Sequence, residues 1–505
     1  MSKRPLFLSI FLLLLTLSAA AQDAQNLQVP QGCRRGTPRP QDMALHRGAA
    51  NGQPRQPGGD FYKGDKRQLL VLVQFSDLQF EGDEAATLQK WDKLFNAEGL
   101  SEAPYKGSVS DYFSDQSYQQ FRPQFDLQYI SLAGSITKYC STAANDENSQ
   151  YLVQDIIEVL KTRGIDWGQY DWNGDGYVNQ LLIVYAGKGM NDGGGENSIW
   201  PHQWWMSEHL KDGQKGVYCD PIPVSDGAGK EYLVDCYCAV NEKKGNKDPF
   251  GTICHEYSHC FGLPDFYYGS KQYVSKWDLM DYGNYNNNGY TPASYSAHER
   301  WLMGWLTPQE LTTATSVTNM PALSEEPKAY LVRNDGHSDE YYMVENRQQT
   351  KWDEKLPAQG VIIFHIDYDA AIWVSTKETP NHTTYKDDEG VTHPARQRYT
   401  IFASNNASSI AGWAYPYGQN NLLTNTSTPA ATLFNDNTDG TKLMSKPLTN
   451  ITVSGGLASF DFMGGSTDIS TTTTDLSSYT ILYRIGNVAI VRCSDGTVKK
   501  LTTHL

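Results

Sequence analysis

The sequence predicts an α+β domain followed by an all-β domain of the sandwich type. Two apolar runs of strand length, at 67–75 and 180–186, alternate with segments of helical spacing at 84–97 and 149–163. This alternation is typical of a mixed domain in which helices cover a sheet. From about residue 311 the pattern changes to short strands rich in β-branched and aromatic residues, which predicts the second domain.

The chain as a whole is predicted to have five parts. These are a signal peptide at 1–21, a prosegment at 22–65, the α+β domain at 66–310, the β-sandwich domain at 311–464, and a linker with a short β segment at 465–505. The signal peptide is indicated by a basic start at Lys3 and Arg4, an apolar stretch from Leu6 to Leu17, and small residues up to Ala21. We therefore expect an exported, extracellular protein.

Composition excludes some classes of partner. Among 505 residues, 42 Lys and Arg face 57 Asp and Glu, a net charge of -15 that argues against nucleic acid. No stretch after the leader is long and apolar enough to cross a bilayer, so the mature chain is expected to be a soluble monomer. In an oxidising compartment its eight cysteines predict disulfides, although spacing does not reveal their pairing.

A helix predicted over 249–262 carries the residues with the strongest chemical signal. Four helical residues turn through about 400°, so His255 and His259 project from one face and can both reach one Zn²⁺. A glycine then ends the helix, and Asp265 arrives as a third ligand, leaving a fourth position for water. Glu256, beside the first ligand, is the predicted general base that accepts a proton from this water.

A second motif follows the first. Met280 lies fifteen residues after Asp265 within Trp-Asp-Leu-Met-Asp-Tyr-Gly, and a Met in a tight turn beneath a histidine zinc site is typical of metzincins. An ordinary core methionine is the alternative. Tyr282 is a candidate for binding zinc or stabilising an oxyanion, with a packed aromatic as the alternative and Tyr267 as a rival.

On these motifs the chain resembles the immune inhibitor A family of bacterial metzincin-like metalloproteases, in which Asp replaces the third His of most metzincins. The resemblance covers about residues 66–464 and includes segments at 107–118, 171–178, 198–202 and 342–348. It implies a secreted, zinc-dependent endopeptidase that acts on protein substrates.

Glycoprotein substrates are a further hypothesis. They would apply if the β domain binds carbohydrate through exposed aromatic side chains such as Trp373 and Trp413.

A calcium site is predicted as one interpretation of a polar loop. Asp171, Asn173, Asp175 and Tyr177 place oxygen atoms at alternate positions, as at the start of a calcium loop. Leu182 stands where an EF-hand has a bidentate Glu, so the loop is not an EF-hand. A shorter Ca²⁺ site and a plain polar turn both remain open.

Three alternatives concern latency, the third ligand and activity. Cys33, in the predicted prosegment, is a candidate thiolate cap on the zinc, against a disulfide or an unpaired thiol. Glu299 competes with Asp265 as third ligand, but it lies forty residues after His259, and the shorter spacing favours Asp265. The alternative function is a catalytically inactive metzincin scaffold used for binding or adhesion, which the intact Glu256 argues against.

Overall fold

The computed structural model of the chain describes residues 62–140, 148–195, 197–214, 217–245, 247–374, 379–386, 390–406, 409–465, 480–485, 488–492 and 498–502. The predicted signal peptide, most of the predicted prosegment and Cys33 lie outside these residues. No helix in the described ranges has the length and apolar character that crossing a membrane requires.

Helices are few and short in the described ranges. Their bounds are α1 Glu84–Asn96, α2 Val109–Gln116, α3 Ser149–Leu160, α4 Phe250–Cys260, α5 Ala297–Leu302 and α6 Ala370–Trp373. The helices predicted at 84–97, 149–163 and 249–262 are therefore present as α1, α3 and α4. Helix α2 begins with a capping box in which Ser108 and Asp111 each accept a hydrogen bond from the other's backbone amide.

The first part of the chain is organised around one largely parallel sheet. Its strands and those of a small neighbouring sheet are β1 Gly64–Gln74, β2 Phe121–Ser131, β3 Tyr177–Val178, β4 Leu181–Lys188, β5 His202–Trp205, β6 Ile222–Ser225, β7 Glu231–Val234 and β8 Cys236–Lys243. The large sheet has the order β2-β1-β4-β8-β5, with only β5 antiparallel to its neighbour. The small sheet has the order β3-β7-β6.

Both faces of the large sheet are covered. Leu69 to Val73 of β1 are fully buried, which is why this strand is a continuous apolar run and does not alternate. Leu70 and Leu72 share a core with α1, α2 and α4, whereas Leu69 and Val71 pack with α3 on the other face. The mixed α and β content predicted for the first part is confirmed.

The remainder of the chain is dominated by strands. They are β9 Gln309–Glu310, β10 Thr315–Met320, β11 Tyr330–Asn334, β12 His337–Arg347, β13 Gly360–Asp367, β14 Thr384–Lys386, β15 Thr392–Pro394, β16 Tyr399–Ile401, β17 Leu448–Ser454, β18 Leu457–Phe462, β19 Thr480–Ile485, β20 Val488–Arg492 and β21 Val498–Thr502. They form sheets of order β16-β13-β12-β11-β9, β10-β18-β17, β14-β15 and β19-β20-β21.

The sheet containing β12 and β13 contributes to two cores. Tyr342 and Val344 on one face pack with residues of β10, β17 and β18. Tyr341 and Met343 on the other face belong to the same apolar core as helix α4. This strand-rich part and the first part of the chain are therefore continuous in their packing, while a sandwich-type domain with its own boundary stays a prediction.

Two expectations, about exposed tryptophans and about disulfides, are wrong for the described part of the chain. Trp373 was expected to be exposed, but only 2% of it is accessible, and Trp413 packs partly buried against the same core. No disulfide joins the described cysteines, all of which are buried; they are Cys140, Cys219, Cys236, Cys238, Cys254 and Cys260. Packing against neighbouring elements, which spacing does not reveal, decides both outcomes.

A buried ion network joins β12 to the segment before α5. The guanidinium of Arg347 donates to Glu345 at 3.0 Å and to both oxygens of Asp353 at 2.7 and 2.8 Å, and all three side chains are essentially inaccessible. Asp353 accepts from the amide of Ser294 at 2.9 Å, and Glu345 accepts from the amide of Ala297 at 2.6 Å. Removing one charge would leave the others buried without compensation.

We expect Arg347→Met to lower the free energy of unfolding by about 3–5 kcal/mol, because two buried carboxylates lose their counter-ion. Chemical denaturation followed by intrinsic fluorescence measures this loss. Arg122→Met is the matched control, since Arg122 pairs with Asp65 on the surface and should change the midpoint little. Equal losses in the two variants would show that the buried network does not stabilise the fold.

Candidate metal centre and active site

Helix α4 is the central element of the site. All eleven of its residues are buried, between the large sheet and the segments that follow the helix. The helix ends because Gly262 adopts a φ of +85°, a conformation that costs other residues free energy, and its amide donates to the carbonyl oxygen of His259 at 2.9 Å. This bend returns the chain towards the face that carries the two histidines.

The bend brings Asp265 to the two imidazoles. Its Oδ1 lies 3.2 Å from Nε2 of His255 and 3.3 Å from Nε2 of His259. Ligand atoms at 2.0–2.2 Å from one tetrahedral ion stand roughly 3.4 Å apart, so these separations suit a shared metal ion. The three side chains are nearly inaccessible, and two nitrogens with one carboxylate oxygen form a donor set that zinc accepts.

Backbone carbonyls orient both imidazoles. Nδ1 of His255 donates to the carbonyl oxygen of Leu279 at 2.9 Å, and Nδ1 of His259 donates to that of Leu263 at 2.7 Å. Because a carbonyl oxygen only accepts, each Nδ1 must carry the hydrogen, and in the neutral ring Nε2 keeps its lone pair. This is the tautomer that a metal ligand requires.

The turn around Met280 is hydrogen-bonded to the segments that carry His255 and Asp265. Met280 is fully buried, and its carbonyl oxygen accepts from the amide of Phe266, next to Asp265, at 2.9 Å. Asp278 holds the turn by accepting from the amide of Met280 at 2.8 Å and from the Tyr399 hydroxyl at 2.9 Å. Since Leu279 also belongs to this turn, one short segment positions both His255 and Asp265.

Glu256 shares the site with the histidines. One candidate ligand atom from each of His255, Glu256 and His259 lies within 4.8 Å of the other two, and Glu256 is 4% exposed. A narrow cleft, partly open to solvent, adjoins the site. Its walls are formed by Asn191, Trp200, Thr252, His255, Glu256, Tyr267, Asp281, Tyr282, Asn284 and Tyr285.

The electrostatics of the site favour a cation. Burial by itself lowers the pKa of His255, but the hydrogen bond to Asp265 and the charge of Glu256 outweigh it and raise that pKa to about 9. Burial raises the pKa of Asp265, yet the two imidazoles hold it well below its usual range. The negative charge concentrated here would stabilise a bound divalent ion.

Both tyrosines considered from the sequence reach the cleft. Tyr282 and Tyr267 line it together with His255 and Glu256. Tyr282 is half-buried, and burial raises the pKa of its phenol, so the hydroxyl stays protonated at neutral pH. The structure thus brings both rivals to the site.

The polar loop predicted to bind calcium is held by its own amides. Asp171 accepts hydrogen bonds from the amides of Gly174, Asp175 and Gly176 at 2.9 to 3.1 Å. Asp175 in turn accepts from the amide of Tyr177 at 2.9 Å, and Asn173 donates to Asp175 at 2.8 Å. These contacts are those of a polar turn and lend no support to a calcium site.

Glu299, the competing third ligand, is engaged elsewhere. It is fully buried in the capping box of α5, where its carboxylate accepts from the amide and the hydroxyl of Ser296 at 2.7 and 3.0 Å. Burial raises the pKa of Glu299 well above its usual value. This carboxyl group belongs to the start of a helix.

The comparisons with known proteins concern the part of the chain that contains this site. Residues 60–305 match the catalytic domain of immune inhibitor A peptidase M6. Over this range the chain is similar to the immune inhibitor A family. Immune inhibitor A of Bacillus thuringiensis subsp. alesti is 26% identical over 302 residues, which are 50% of this chain and 42% of that relative. The chain therefore matches less than half of that relative's length.

The immune inhibitor A assignment indicates a metallopeptidase, and the matched range contains the buried group of His255, Glu256 and His259. Several cleft residues escaped the sequence analysis, among them Asp281. Asp281 directly follows Met280, so its place in the motif was a signal that it lies near the site. Nothing in the sequence marks the carbonyl groups of Leu279 and Leu263 as partners of the two imidazoles, because a backbone carbonyl is the same in every residue.

We expect Asp265→Ala to lose bound zinc, because two imidazoles alone do not complete the site. Metal analysis of purified protein should find about one equivalent in the wild type and much less in the variant. Asp171→Ala, which changes the other candidate metal loop, is the control and should keep its zinc. Full zinc occupancy in the Asp265 variant would remove Asp265 from the ligand set.

Proposed function

We propose that this chain is a secreted, zinc-dependent endopeptidase that hydrolyses protein substrates. In this proposal His255, His259 and Asp265 hold the zinc, and Glu256 is the general base. The observation that carries it is the approach of Asp265 Oδ1 to within 3.2 and 3.3 Å of the two Nε2 atoms. The family assignment supports the peptidase activity.

The chemistry divides between the metal and this chain. Zn²⁺ bound by the three side chains supplies a Lewis acid and lowers the pKa of a neighbouring water. Glu256 takes up the proton of that water as its oxygen bonds to the scissile carbonyl carbon. When the C–N bond breaks, Glu256 returns the proton to the leaving amine. Its burial shields the carboxylate from bulk water and keeps the proton on this path.

Tyr282 has a separate role in the proposal. Its phenol lies in the wall of the cleft and would donate a hydrogen bond to the oxyanion that develops on the substrate carbonyl. The hydroxyl is suited to this because its raised pKa keeps the proton in place. Tyr267 lines the same cleft and is the residue against which this assignment is tested.

The proposal extends to the organisation of the chain. We infer that residues 1–21 direct export, that 22–65 form a prosegment, and that 66–310 and 311–464 are the protease and the sandwich-type domain, followed by a linker with a short β segment at 465–505. Support comes from the basic and apolar pattern of the leader and from the change to short strands near residue 311. No observation favours an inactive binding scaffold, and calcium is left out of the proposal.

Glu256→Gln should lower kcat for a protein substrate about 1,000-fold or more while zinc stays bound, because the amide cannot accept the proton of water. The test is a casein cleavage assay combined with metal analysis. A chelator should abolish wild-type cleavage, and added zinc should restore it.

The same substitution at Glu158, an exposed residue of α3, is the control and should leave cleavage unchanged. Wild-type protein that binds zinc but cleaves no protein would support the alternative function, an inactive scaffold used for binding. Retained activity in the Glu256 variant would refute the general base.

Tyr282→Phe should lower kcat about 100-fold with little change in KM, because an oxyanion donor acts mainly in the transition state. Tyr267→Phe, the same change in the same cleft, should lower kcat much less. Steady-state kinetics on one fluorogenic peptide compares the two variants. A larger kcat loss at Tyr267 would transfer the role to that residue.

A further inference from the structure

A buried carboxylate in the cleft has no assigned role. Asp281 is 3% exposed and lines the same cleft as His255 and Glu256. One of its oxygens, Oδ2, accepts hydrogen bonds from three successive amides, those of residues 273 to 275, at 2.7 to 2.8 Å. These bonds hold the carboxyl group in a defined orientation.

The second oxygen of Asp281 is different. Oδ1 is buried and accepts no hydrogen bond from the part of the chain that the structure describes. The charged group that acts most on Asp281 is another carboxylate, Asp278. Burying a carboxylate oxygen without a donor costs free energy, so a ligand that supplies donors and positive charge would be stabilised here.

Other cleft residues add neutral oxygen atoms that can accept a hydrogen bond. Oγ1 of Thr252 and the amide oxygens of Asn191 and Asn284 are also buried and lack a hydrogen-bond partner among the described residues. An ammonium group offers three donors and a guanidinium five, and neither accepts a hydrogen bond. Tyr282 and Tyr285 form further walls. The ammonium group of Lys244 already lies 3.3 Å from the centroid of the Tyr285 ring, as a cation does when it contacts an aromatic face.

We propose that Asp281 is a specificity-determining residue, and that the cleft receives a lysine or arginine side chain beside the scissile bond of the substrate. The proposal rests on the proposed function, because it places the substrate across the site of His255 and Glu256. It goes beyond that function by naming the class of side chain that the enzyme selects.

The test compares matched fluorogenic peptides that differ only in one residue next to the scissile bond. Peptides with Lys or Arg are compared with peptides carrying norleucine or Gln, on each side of that bond in turn. Assays at pH 8 keep the carboxylate ionised, since burial raises the pKa of Asp281 to about 7. Wild-type kcat/KM should favour the basic peptide at least 10-fold on one side.

Asp281→Asn keeps an acceptor for the three amides and removes the charge. It should reduce the ratio of kcat/KM for basic over neutral peptides to near 1. Because both peptides are cleaved by one preparation, the ratio does not depend on how much of the variant is folded. Asp171→Asn, the same change in the remote polar loop, should keep the wild-type ratio.

If the Asp281 variant does not fold, inhibition of the wild-type enzyme by small cations tests the same proposal. Butylguanidinium, which remains protonated and does not ligate zinc, should inhibit cleavage competitively at a concentration at least 10-fold lower than butanol. Equal inhibition would overturn the proposal.

The assays distinguish the role of Asp281 from the peptidase activity. Chelator-sensitive cleavage without a basic preference, or with a preference that survives in Asp281→Asn, overturns the role of Asp281 and leaves the peptidase intact. The absence of any cleavage by zinc-loaded wild type overturns the proposed function itself. Binding of the basic and neutral peptides to Glu256→Gln, followed by fluorescence anisotropy, then shows whether the cleft still selects a cation.

Discussion

The site depends on the approach of one carboxylate to two imidazoles, all of them buried. A separation of 3.2 Å between Asp265 and His255 would be costly to maintain without compensation, because charged and polar groups lose their hydration when buried. Part of this cost is offset by the hydrogen bonds that Nδ1 of each imidazole donates to a backbone carbonyl oxygen. A divalent cation at the point where the three side chains meet would complete this compensation, which is why the arrangement indicates a metal centre.

The strand-rich part of the chain supports the site, although none of the three proposed ligands lies in it. The Tyr399 hydroxyl at β16 donates to Asp278 and so stabilises the turn whose carbonyl orients His255. The ion network of Arg347 ties β12 to the segment that leads into α5. The cleft and its support are products of both parts of the molecule.

Local patterns predicted the elements that depend on local rules. The spacing of His255 and His259, the glycine bend and the buried strand β1 follow from helical periodicity, backbone sterics and apolar runs. Expectations failed where distant packing decides. Trp373 is buried because residues from separate elements, including His298 and Tyr399, surround its ring. The described cysteines are likewise buried thiols with no disulfide between them, and the number of cysteines in the sequence does not predict this outcome.

By itself the sequence determined the chemistry that is available: two imidazoles one helical turn apart, a carboxylate just after a bend, and a methionine motif downstream. Only the tertiary structure decided how these groups are used. It placed the carbonyls of Leu279 and Leu263 on the ring nitrogens, engaged Glu299 in a helix cap, and left Oδ1 of Asp281 without a hydrogen-bond donor among the described residues. The reason is physical. Residue types and short spacings are local properties, whereas burial, tautomer and unpaired acceptors depend on which distant segments meet.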